Sequence, residues 1–298
     1  MTTPQPAEPQ PAGGRGRHRA TRERQPTAAP KAGRNLPVAI AVGCGLGALV
    51  LASLLIYRPV FAVVAAVAVV LSVIEMVRAV RPLEARPPLV PLLAGGVGMI
   101  ALAWFAGASM LAVGFVLTII AVMLWRLGDG PVGYQRDVTS AALIAAYIPL
   151  MAGFCVLLLV PGDGALRVIA FMATVVCSDT GAYATGVLFG RHKMAPLASP
   201  GKTWEGLAGS LLACAIAGAL FMHFFFDRPW WYGVLFGLAI AIAATLGDLA
   251  ESMLKRDLGI KDMGSLLPGH GGFMDRLDSV LVAAPVAYVL LASLAPPH

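Results

Sequence analysis

From position 36 to the end, apolar residues come in blocks of about 20, separated by short polar connections. The blocks fall at 36–57, 60–77, 89–106, 108–125, 138–160, 165–189, 207–226, 230–250 and 277–294, with Gly107 alone dividing the third from the fourth. Each is long enough to cross the hydrocarbon core of a bilayer. Lipid offers no partner to an unpaired amide, so each block is expected to be helical. The pattern predicts an all-α polytopic membrane protein of about nine transmembrane helices.

Composition agrees. Of 298 residues, 58% are hydrophobic and 13% charged, and mean hydropathy is +0.79. A soluble domain carries about a quarter charged residues. Residues 1–36 differ: six prolines and seven Lys or Arg leave almost nothing to bury. They predict a disordered, basic, cytoplasmic tail attracted to anionic membrane lipids. No aromatic residues interleave the arginines, so nucleic acid is not an expected partner. The apolar block begins too late for a signal peptide. Cys44, Cys155, Cys177 and Cys214 lie inside apolar blocks without CxxC spacing, which argues against a zinc or redox site.

Charge sets the orientation. With the N-terminus in the cytoplasm, every Lys and Arg except Arg58, Arg167 and Arg228 falls on the inner side, as the positive-inside rule requires. Asp163 and Asp227 are the acidic residues left outside. The chemistry therefore belongs to the cytoplasmic ends of the later helices. The chain divides into the tail (1–36), N-terminal transmembrane helices (37–164) and a C-terminal catalytic transmembrane region (165–298) whose polar loop spans 252–278.

In "TLGDLAESMLKRDLG", Asp248, then Glu251 or Ser252, and Lys255 share one helical face. The loop that follows carries Gly264, Gly269, Gly271 and Gly272, whose amides can face an anion. The next helix opens with Asp275, Arg276 and Asp278. Carboxylates, lysines and glycines in this arrangement suit a magnesium–polyphosphate site: Mg²⁺ takes one or two carboxylates plus substrate phosphates, and cations neutralise the departing pyrophosphate. Asp179 stands eleven residues before Gly190, roughly 16 Å along a helix, where a charge normally faces a protein cavity. Gly186 and Gly190 form a pair suited to close helix approach. "LASPGKTWEG" is not a P-loop, because Pro196 stands where glycine is needed; Lys202 and Glu205 remain candidate phosphate-site residues. Glu75 and His223 read as interfacial or packing residues.

The stretch from Ser252 to Asp278 resembles the signature of the phosphatidate cytidylyltransferases (CDP-diacylglycerol synthases). Ser252, Lys255, Arg256, Lys261, Asp262, Gly264, Pro268, His270, Gly271, Gly272, Asp275, Arg276 and Asp278 fill its positions. The likeness reaches back through "GDLAES", "SPGKTWEG" and "SDTGAYATG", with Gly201 replacing the family's usual first lysine. It implies a Mg²⁺-dependent, dimeric enzyme of the cell membrane that transfers CMP from CTP to phosphatidic acid, with its site facing the cytoplasm. It implies Asp248 and Asp275 as metal carboxylates and leaves open a second, monovalent cation. Catalysis is expected of Asp248, Asp275, Lys255, Arg276, Asp278 and His270. Substrate binding is expected of Lys202, Glu205, Ser252, Arg256, Lys261, Asp262, Gly271, Gly272 and Asp179. Another Mg²⁺-dependent lipid nucleotidyl- or phosphotransferase is the alternative, and an ion-coupled transporter a weaker one. A CDP-alcohol phosphatidyltransferase is disfavoured, because its DG-x2-AR motif is missing.

The orientation is testable in intact cells. A cysteine introduced near Asp163 is expected to react with an impermeant thiol reagent, and one near Gly264 is not. The reverse labelling would overturn the charge-based topology.

Overall fold

The structure, a computed structural model, describes residues 36–264 and 271–296. The basic tail, Pro268 and His270 lie outside the described residues. The chain is helical almost throughout: α1 (Leu36–Ile56), α2 (Pro59–Ala79), α3 (Leu89–Leu127), α4 (Tyr134–Ala145), α5 (Met151–Leu159), α6 (Gly164–Phe189), α7 (Trp204–Phe224), α8 (Trp230–Asp257) and α9 (Asp278–Leu294). Among the described residues six helical stretches are long and apolar enough to cross a membrane, so this is a multi-pass membrane protein. Their outer faces carry the apolar residues a bilayer would cover. Leu212, Ile216 and Leu220 on α7, one turn apart, are all exposed.

Helix α3 is 39 residues long but is not one rod. Gly107 has φ 79° and ψ −169°, a conformation barred to residues with a side chain. The two arms fold back on each other: Gly114 packs under Met99 and Leu102, and Gly95 under Thr118. The division that the apolar pattern placed at Gly107 is therefore a reversal. Helices α4 and α5 are joined through a π-helical turn, Ala146–Leu150, which contains Pro149. Proline removes a backbone donor inside the helix, and the wider turn accommodates the loss.

Nothing in the apolar pattern foretold the one piece of sheet among the described residues, β1 (Lys193–Ala195) paired antiparallel with β2 (Ser199–Thr203). Thr203 then caps α7, its Oγ1 accepting the N–H of Gly206 at 3.1 Å.

Small residues let α6, α7 and α8 approach closely. A Cβ on Gly181 would come within 2.7 Å of the Gly209 carbonyl oxygen, and Gly233 of α8 lies directly against Gly218 of α7. Ser178 and Ser210 share a buried hydrogen bond of 2.7 Å between the same two helices, α6 and α7. Gly186 faces the start of α7 at Gly206, while Gly190 ends α6 against Thr203. Such close contacts replace the hydrophobic drive that lipid removes. Two apolar cores result. One gathers α2, α3, α4 and the segments around Met263 and Met274; the other gathers α5 to α9 with Phe61.

At the end of the bundle that the charge pattern places outside, Arg167 is buried and fastens the end of α9. It donates to the carbonyls of Leu291 (3.1 Å) and Ala295 (2.6 Å), closing the last turn of α9, and its Nε meets Asp163 Oδ1 at 2.7 Å. Burial pushes the Asp163 carboxyl up, but the Arg167 guanidinium outweighs it and holds the carboxyl below its usual range.

A depressed acid stabilises the fold above its unfolded value, near about 3.9, and its contribution disappears as pH falls through the lower folded value. Arg167→Met is therefore expected to lower the melting temperature at neutral pH and to flatten its fall on acidification. Melting curves across a pH series read both effects.

Candidate active site

Gly247 brings two helices into contact. A Cβ there would stand 2.5 Å from the Asp278 carbonyl oxygen and 3.0 Å from Val282, so α8 presses directly on the first turn of α9. The next residue, Asp248, thereby comes into electrostatic reach of Asp278, which also senses Lys255 and Asp179. Asp248 Oδ2 pairs with Lys202 Nζ of β2 at 2.7 Å, and its Oδ1 accepts from Ser252 Oγ at 3.3 Å. Asp179 of α6 completes this face, within reach of Asp248, Lys202 and Arg276. The unforeseen hairpin is what carries Lys202 here. Arg256 Nε ties the hairpin to α8 through the Ala198 carbonyl (3.2 Å). Glu205 fixes the hairpin's other side by accepting the N–H groups of Arg191 and His192 and pairing with His192 Nδ1 at 2.6 Å.

One turn further along α8, the site becomes enclosed. Lys255 Nζ lies 3.0 Å from Glu251 Oε1 and 2.9 Å from Asp275 Oδ1. Glu251 is fully buried, and neither of its oxygens has an aligned hydrogen-bond partner among the described residues. Asp275 sits in a 3₁₀ turn, Met274–Arg276, and its Oδ2 accepts the N–H groups of Met263 (3.0 Å) and Gly272 (2.8 Å). Burial raises the Asp275 carboxyl; the Lys255 ammonium and the Gly272 amide outweigh it and hold the group below its usual range. Gly271, with φ 81°, turns the backbone beside Asp262. Lys261 is exposed, as is Arg276.

Two contributors escaped the sequence reading. Glu75 of α2, expected at an interface or in packing, is 2% exposed and accepts the N–H of Met274 at 2.9 Å through Oε2. Tyr147 stands in the π-helical turn with a buried hydroxyl that has no partner among the described residues, within electrostatic reach of Glu251, Asp278 and Asp248. Acid in an apolar helix was the available signal for Glu75; Tyr147 had none.

Carboxyl groups outnumber cations here. Asp179, Asp248, Glu251, Asp275, Asp278 and Glu75 are gathered with Lys202, Lys255 and Arg276. Crowded carboxylates disfavour one another's ionised form, so the surplus fits an added cation. Asp179 and Asp248 are the open members; the Asp248 side chain is 39% exposed, and each of its oxygens has one partner and a lone pair to spare. Asp275 keeps room only on Oδ1. No three acidic, histidine or cysteine side chains converge as a self-sufficient cage among the described residues. A cation would therefore complete its shell with substrate oxygens, which is the habit of magnesium on polyphosphates.

Residues 37–294 match the model of the cytidylyltransferase family. The chain is 42% identical to the phosphatidate cytidylyltransferase of Mycobacterium leprae, over 89% of this chain and 90% of that one. It is 39% identical to the protein of the same name from Mycobacterium bovis, over 93% and 94%. Against the Haemophilus influenzae protein of that name, identity is 40% over 42% of this chain and 45% of that one.

The geometry separates two aspartates that look alike in sequence. Asp275→Asn would turn an amide's donors toward Lys255 or toward two N–H groups. It is expected to destabilise the fold by about 3 kcal/mol, the cost of breaking a buried pair. Asp248→Asn, at the open side, is expected to melt close to the parent protein. Thermal unfolding in detergent distinguishes them.

Proposed function

The chain belongs to the cytidylyltransferase family, and we propose on that footing that it transfers CMP from CTP to phosphatidate, giving CDP-diacylglycerol and pyrophosphate. The observation that carries this reading is convergence. Lys202, Asp248, Lys255 and Asp275 come from a hairpin, a helix and a 3₁₀ turn, and they meet in two adjoining ion-pair clusters. A transporter has no need of that assembly beside a glycine-rich turn.

In the reaction, a phosphate oxygen of phosphatidate attacks the α-phosphorus of CTP. The bond from that phosphorus to the bridging oxygen breaks, and pyrophosphate leaves with the electron pair. An ionised phosphate monoester needs no base to become a nucleophile, so positioning and charge neutralisation carry the rate. Lys202 and Arg276 are the cations at the open face and are assigned to the phosphates. Half-buried Lys255 instead holds Asp275 and, through it, the turn that presents Arg276 and Asp278. Ser252 orients Asp248. Glu205 acts through the hairpin, since both its oxygens accept from backbone there; Arg256 holds the hairpin through Nε and keeps its remaining guanidinium donors assigned to substrate phosphate. Asp179, Lys261, Asp262 and Gly271 remain assigned to substrate binding and His270 to catalysis, while Gly272 spends its amide on Asp275 Oδ2.

Magnesium held by Asp248, with Asp275 Oδ1 or a neighbouring carboxylate beside it, would supply charge neutralisation on the triphosphate. The same carboxylate surplus leaves room for a monovalent cation. The charge asymmetry of the connections favours a cell membrane location with this site toward the cytoplasm. There the nucleotide arrives from water and the lipid phosphate from the bilayer plane. A homodimer belongs to the same reading.

Purified protein given phosphatidate, CTP and Mg²⁺ is expected to form CDP-diacylglycerol, followed by mass spectrometry, with one pyrophosphate per product. Product formation that ignores CTP or phosphatidate would overturn the assignment. Asp248→Asn is expected to lower kcat by about a hundredfold or more, since a carboxylate that positions a metal contributes several kcal/mol to the transition state.

A further inference from the structure

We propose that Glu75 is a positioning residue for the cytidylyl transfer, its carboxylate fixing the 271–276 segment from which Asp275, Arg276 and Asp278 project. The clause about catalysis rests on the reading above; the placement of the segment does not. Three observations converge on it. Glu75 belongs to α2, in the part of the chain whose sequence shows apolar character and little else. It is 2% exposed, yet its Oε2 accepts the Met274 N–H at 2.9 Å across 199 positions of sequence.

The second observation is the space made for it. Gly264 and Gly272 both face this carboxylate: a Cβ on Gly272 would stand 2.8 Å from Glu75 Oε2, and one on Gly264 would collide with Oε1. The same Gly272 Cβ would stand 2.8 Å from Asp275 Oδ2. Two carboxylates thus flank one glycine, and both grip backbone. Asp275 takes the amides of Met263 and Gly272, and Glu75 takes that of Met274. Together they bind the segment leaving α8 to the segment entering α9.

The third is cost. Glu75 Oε1 has no hydrogen-bond partner among the described residues, and a buried oxygen left unpaired is unfavourable. A position serving packing alone would be filled at lower cost by methionine or leucine. The chain keeps an acid there because it needs an acceptor at that point. Glu75 touches no reacting atom in this account. Its effect passes through the turn, so a small displacement of Arg276 and Asp278 is what its loss produces.

The test uses the full-length protein in detergent and has two readouts. Hydrogen exchange read by mass spectrometry is expected to show the 271–276 amides exchanging about tenfold faster in Glu75→Met than in the parent. Glu75→Gln, which keeps an acceptor oxygen, is expected to restore protection, and the hairpin at 193–203 should be unchanged in both. In the turnover assay Glu75→Met is expected to lose about tenfold or more in kcat with KM for CTP changed far less, and Glu75→Gln to recover most of it. Should Glu75→Met fail to fold, a double-mutant cycle decides. Gly264→Ala alone is expected to impair turnover by crowding Oε1, and the shorter side chain in Glu75→Asp/Gly264→Ala to relieve it. Unchanged exchange at 271–276 in Glu75→Met, equal damage from Met and Gln, or strict additivity in the cycle would each overturn the proposal. A parent protein without CDP-diacylglycerol synthesis would sink the functional reading, while the exchange experiment would still decide the positioning claim.

Discussion

One ammonium group organises the polar end of this bundle. Lys255 is half-buried between Glu251 and Asp275, its side chain 16% exposed, and it stays charged there because Asp275 Oδ1 lies 2.9 Å away and Glu251 Oε1 3.0 Å. The arrangement holds only if Asp275 is brought back onto α8, which requires the turn at Met274–Arg276 and the amides of Met263 and Gly272 to close around it. The ion pair, the turn and the entry into α9 are thus one condition stated three ways. Asp248, a turn away and more open, is placed by α8 where Gly247 lets the first turn of α9 press close, and the hairpin brings Lys202 to it.

Much of this was legible in the chain. The apolar blocks mark the helices to within a few residues, and Gly107 marks the reversal inside α3. Spacing along α8 pairs Asp248 with Ser252 and Glu251 with Lys255, since residues four apart must meet on a helix. The hairpin was hidden because Lys193 to Thr203 has no alternating apolar pattern; its order comes from Arg256 and Glu205 holding its backbone. Glu75 was hidden for a different reason. An acid in an apolar helix announces that it needs a partner, but a backbone amide 199 positions away leaves no mark in sequence. Asp275 was recognisable as important, but not as a group whose oxygens are largely spent on Lys255 and two amides.

Helix contacts show the same division between what residue type discloses and what assembly adds. Glycines at 181, 209, 218 and 233 make α6, α7 and α8 a tightly apposed set, although the sequence singled out only the Gly186 and Gly190 pair. The cores that result run across position 164, joining Phe61, Leu158 and Phe171 in one and Val73, Met274 and Leu281 in the other. The N-terminal helices are therefore part of the wall of the polar site, through Glu75 and Tyr147, and not only a membrane anchor for it.

The separation between Glu75 and Met274 also has a meaning in time. During synthesis α2 enters the membrane long before its acceptor's partner exists. At roughly 5 to 20 residues per second, the ribosome needs about 10 to 40 s to reach Met274. Throughout that interval an acidic side chain sits in an apolar helix with nothing to hold it. The contact between α2 and the turn before α9 is thus among the last that synthesis makes possible.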